Sequence, residues 1–67
     1  MELTATVVDV SDDDGHSVIV VLEGGGRICV PIREAEAFRA HMAAKTPVSY
    51  RTQLGTRAGV QRARLVQ

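Results

Sequence analysis

Short apolar runs alternate with turn clusters along this chain, and one stretch replaces the two-residue rhythm with a helical one. Residues 3–10 are rich in Thr and Val and predict a first strand. It ends at Ser11-Asp12-Asp13-Asp14-Gly15, where Asp-Gly signals a hairpin because both residues tolerate positive φ. Residues 17–22 predict a second strand, with Val18, Val20 and Leu22 on one face and Ile19 and Val21 on the other. Gly24-Gly25-Gly26 then supplies a turn. A phosphate-cradling loop would need a helix directly after it and a Lys and Ser/Thr at its end, and neither is in place. Residues 27–32 predict a third strand with Ile28, Val30 and Ile32 facing inward, and Pro31 near its end suits an edge or terminal position.

The rhythm changes at residues 33–44, whose Ala-Glu-Ala-Phe-Arg-Ala-His-Met-Ala-Ala composition favours a helix. Ala35, Phe38 and Met42 form one narrow apolar stripe. Glu34 and Glu36 in the first turn and Lys45 after the last complement the helix dipole. Thr46-Pro47 stops the helix, since a residue before proline disfavours helical geometry. Residues 48–54 predict a fourth strand with Val48, Tyr50, Thr52 and Leu54 on one face. Residues 55–59 form a glycine-bounded turn, and residues 60–66 a fifth strand with Ala63 and Leu65 inward and Arg62 and Arg64 outward.

The order strand, strand, strand, helix, strand, strand is that of the OB-fold, a partly open five-stranded barrel. The expected fold is therefore mainly β with one helix: a single OB-like barrel over residues 1–67, with an SH3-like barrel as the alternative. Three stretches resemble small OB domains of the cold-shock or translation-initiation-factor-one type. They are Thr4-Ala5-Thr6-Val7-Val8, the run from Val20 through the three glycines to Ile28, and Gly59 to Val66. The resemblance implies a fold and, by analogy, nucleic-acid binding. Cold-shock domains stack bases on aromatic side chains of strands two and three. Here those strands offer Ile19, Val21 and Cys29, so the family's binding residues do not transfer.

The chain's 67 residues carry zero formal net charge, yet the charges are segregated. Residues 1–26 hold six acids and no Lys or Arg, whereas residues 27–67 hold eight bases and two acids, so the two parts carry −6 and +6. Such asymmetry marks separate acidic and basic faces unless folding interleaves the two parts. Cys29 is the only cysteine, which excludes a disulfide within the chain and fits a reducing compartment. With no signal peptide and no long apolar segment, a cytoplasmic protein without a membrane partner is expected.

Two surfaces follow as candidates. Arg51, Arg62 and Arg64 should share the outer face of strands four and five, with Arg57 on the turn between them and Arg27 nearby. Five guanidinium groups in one region would attract a single-stranded nucleic acid or another polyanion. The alternative is an apolar outer face on strands one to three, built from Val8, Ile19, Val21 and Cys29, that docks a protein partner or makes a homodimer. The aspartate cluster at 12–14 does not fit a calcium loop, because the first and last ligand positions would fall on Val10 and Val21. Ser11, His16 and Ser17 crowd one hairpin without a water-excluding pocket, so no catalytic residue, metal site or cofactor is assigned and the chain reads as a binding module, not an enzyme.

Overall fold

A computed structural model describes all residues from Met1 to Gln67. Six strands and one helix run in the order β1 (Glu2–Ala5), β2 (Val7–Ser11), β3 (Ser17–Leu22), β4 (Arg27–Pro31), a 3-10 turn (Ile32–Glu34), α1 (Ala35–Ala44), β5 (Val48–Arg57) and β6 (Val60–Leu65). They form one mixed sheet in the order β1-β5-β6-β4-β3-β2. Neighbours are antiparallel except β4 and β6, which meet in parallel at Cys29 and Arg62.

The first predicted strand is two strands, which makes six where five were expected. Thr6 alone separates β1, paired with β5, from β2, paired with β3. The Thr6 carbonyl stays in use, accepting a hydrogen bond from the Glu23 N–H at 2.8 Å. Beyond the break the register slips between Val7 and Asp9, a bulge that leaves Val8 without a partner on β3. Val7 and Val10 can then both turn toward the core although they are three residues apart, while Val8 points out.

Val18, Val20, Ile28 and Val30 fill the interior from β3 and β4, joined by Val7, Val48, Tyr50 and Ala63. α1 lies chiefly on β2 and seals this core with the predicted stripe: Ala35 and Phe38 are buried and Met42 packs at the margin. The helix ends on Lys45 in the left-handed region, φ 58°, where the Lys45 and Thr46 N–H groups bond back to the carbonyls of Met42 and His41. No helix is long and apolar enough to cross a membrane.

Two expectations about facing and one about a turn fail for local reasons. Ile32 opens the 3-10 turn and is exposed, because β4 ends at Pro31. β5 runs on to Arg57, so the turn to β6 is the two residues Ala58-Gly59, both at positive φ, and not residues 55–59. Between Thr52 and Thr56 the register with β6 breaks, leaving three residues of β5 opposite one of β6. Gly55 sits in this break at φ 98°, which glycine adopts without strain. The bulge turns Leu54 from its predicted inward position to full exposure. Gln61 braces it, its side-chain amide donating to the carbonyls of Gln53, Gly55 and Arg62.

Candidate polyanion-binding face

Alternation along β4, β5 and β6 places the predicted arginines. Ile28 and Val30 face the core, so Arg27 and Cys29 face outward from β4. Arg62 lies opposite Cys29, Arg64 follows it on the same face of β6, and Arg51 stands directly opposite Arg64. Arg27, Arg51, Arg62 and Arg64 thus share the outer face of three adjacent strands.

Like charges directly opposite one another destabilise a sheet. Each member of the Arg51–Arg64 pair has an acid beside it. Glu2 sits 3.9 Å from Arg51, with both side chains more than half exposed. Glu34 sits 3.0 Å from Arg64 and is itself buried. No carboxylate lies within ion-pair distance of Arg27 or Arg62; Arg62 instead points an N–H at the Cys29 Sγ, 3.8 Å away. Two shallow clefts flank Arg64. One of about 270 Å³ is lined by His16, Leu54, Arg62 and Arg64, and one of about 240 Å³ by Arg51, Arg64 and the C-terminal residues.

Arg57 departs from this group. At the end of β5 it reaches across to the loop between β2 and β3. Its Nε lies 3.1 Å from Asp14 and its Nη2 3.6 Å from Asp12, and it donates to the Ser17 carbonyl at 3.4 Å. The loop is already organised for this contact. Asp14 accepts from the N–H groups of His16 and Ser17, and Asp13 from that of Gly15. These backbone donors, and then the Arg57 charge, hold the Asp14 carboxyl at about 2, well below its ordinary value.

The apolar surface is smaller than expected. Ile19 and Cys29 face outward as the alternation predicts, yet both are buried, because Val60 of β6 packs on them in a separate three-residue cluster. Cys29 is 1% exposed. Val21 is half-buried, and of the four residues only Val8 is open, at 55%. Leu54, fully exposed beside the arginines, was missed; only the glycine after it hinted at a bulge. Nor did Glu34 stand out as more than a helix-dipole partner. No group of three His, Cys, Asp or Glu side chains is placed to hold a metal. Comparison with known proteins finds no matching family model, curated protein or solved structure.

Proposed function

We propose that this chain is an OB-type binding module of the cytoplasm, not an enzyme, that holds a single-stranded nucleic acid or a similar polyanion on the outer face of β4, β6 and β5. Several features support the OB reading. Thr6 alone parts β1 from β2, so consecutive strands stand at the two ends of the strand order, as in a barrel whose first strand is bent. β4 and β6 are parallel, and the helix follows β4. The cytoplasmic assignment rests on the single, unpaired Cys29 thiol.

The observation that carries the binding reading is the convergence of Arg27, Arg51, Arg62 and Arg64 on one face, with Arg27 and Arg62 free of carboxylates. Arg57 takes no part in it, being held by Asp12 and Asp14. The only aromatic residues, Phe38 and Tyr50, are buried in the core, so stacking on bases contributes nothing and the binding is electrostatic and sequence-tolerant. Fluorescence anisotropy with a labelled oligonucleotide tests this. Three or four phosphate contacts predict a log–log salt slope of about −2 to −3. Charge reversal by Arg62→Glu should abolish binding. No binding at tens of micromolar protein in low salt would overturn the reading.

A second reading, docking of a protein or a second copy of the chain, is favoured by the full exposure of Leu54 and the outward turn of Val8. Under it, sedimentation shows a dimer or a captured partner that Leu54→Lys disperses, with oligonucleotide binding absent.

A further inference from the structure

The register break in β5 sets the tip of the β5–β6 hairpin apart from the rest of the strand pair. Beyond the bulge at residues 53–55 only two rungs remain, Thr56 opposite Gln61 and Arg57 opposite Val60. Besides the Gln61 amide, which donates to the Gln53 and Gly55 carbonyls of the bulge itself, the tip has two further attachments. Val60 rests on Ile19 and Cys29, a cluster separate from the eleven-residue main core. Arg57 grips Asp12 and Asp14 across the neighbouring loop, with its own side chain only 17% exposed and the two acids 74% and 40% exposed. The acid side of the latch is open to water, which makes such pairs sensitive to salt.

We propose that residues 56–61 form a flap, hinged at the Gly55 bulge and latched by Arg57 on Asp12 and Asp14, that opens without unfolding the core. The hinge residue already occupies a conformation open to glycine, φ 98°, and the space around its α-carbon is loose: an added Cβ would come no nearer than 3.9 Å to the Arg62 side chain. Opening lifts Val60 and uncovers Ile19 and Cys29. The arginine face then gains an apolar strip at its centre, because Cys29 lies between Ile19 and Arg62 in the register. The main core is untouched, since neither Arg57 nor Val60 belongs to it. Sub-global openings of this sort draw on the least-contacted parts of a fold.

Cys29 is the natural reporter, being the chain's one thiol and buried under the flap. Iodoacetamide, which is uncharged, should alkylate Cys29 of Arg57→Gln at least about fivefold faster than in the parent protein, the ratio expected for loss of a partly exposed ion-pair network. Raising salt to about 0.5 M should speed alkylation of the parent toward the variant's rate. Amide hydrogen exchange in the variant should quicken at residues 56–61 and stay slow at residues 18–20. Equal alkylation rates would overturn the flap, and so would acceleration at both sets of amides together, which signals global unfolding. If Arg57→Gln does not fold, the salt series on the parent protein decides. Faster alkylation with faster exchange confined to residues 56–61 supports the flap, and no change with salt overturns it.

Discussion

Glu34 joins the helix to the sheet. β4 ends at Pro31, short of the place where Leu65 of β6 needs an acceptor, and the Glu34 carboxylate fills that gap at 2.9 Å while its other oxygen meets Arg64. Glu34→Ala strands the Leu65 N–H and should cost about 2 kcal/mol in urea unfolding. Glu34→Gln keeps an acceptor for Leu65 and should cost about half as much; equal losses would mean that the charge matters and the backbone bond does not. Asp14 is the residue with a clear pH signature. Its carboxyl is held at about 2 in the folded state, below the ordinary 3.8. A lowered folded value means that the contribution is complete above about pH 4 and disappears as pH falls toward 2. Thermal melts should therefore drop across that window, and Asp14→Asn should flatten the drop. Ile19 and Asp14 also show how unevenly residues reveal themselves. The Asp-Gly turn is readable from two letters, whereas the burial of Ile19 depends on Val60, forty-one positions away in the chain.

Among the elements, the β5–β6 hairpin departs most from its sequence pattern. Its two-residue turn asks for positive φ at both positions, and Ala58 meets that demand at φ 49° without the tolerance of Gly or Asn. Ala58→Asn, which makes the favoured Asn-Gly turn, should raise stability by about 0.5–1 kcal/mol, read as a higher urea midpoint with an unchanged slope. A fall in midpoint would show that this turn is not of the primed type. The helix behaves differently, since its end and its buried stripe follow from residues within a few positions, although it starts at Ala35, after the 3-10 turn, and not at Arg33. Its signals are local: alanine-rich propensity, an apolar repeat at three and four, and a proline after the end. The bulge at Val8 had no such signal and that at Leu54 only the following glycine, because a register slip is decided by the partner strand.

At the scale of the whole molecule, the small core sets the margin. Per-residue averages give a chain of this size about 3–10 kcal/mol of net stability. Phe38 is the largest of the wholly buried side chains. Phe38→Ala typically costs about 3–5 kcal/mol, enough to leave a large unfolded fraction at 37 °C by circular dichroism. A variant that melts within a few degrees of the parent would show that α1 is not anchored as described. The segregated charges are also settled at this scale. Glu2–Arg51 and the Asp12 and Asp14 contacts with Arg57 tie the acidic first part of the chain to its basic remainder. Folding therefore mixes the two parts locally and leaves a four-arginine face in place of a basic half.

The positions of the β2–β3 turn and the helix, and which residues of β3 and β4 form the interior, were all determined by the sequence itself. Each depends on side-chain periodicity or backbone preference acting over a few residues. Tertiary structure alone decided the break at Thr6, the exposure of Leu54, the covering of Ile19 and Cys29, and which arginines are paired. Those outcomes rest on contacts between segments far apart in the chain, where register and packing select among options that local chemistry leaves equal.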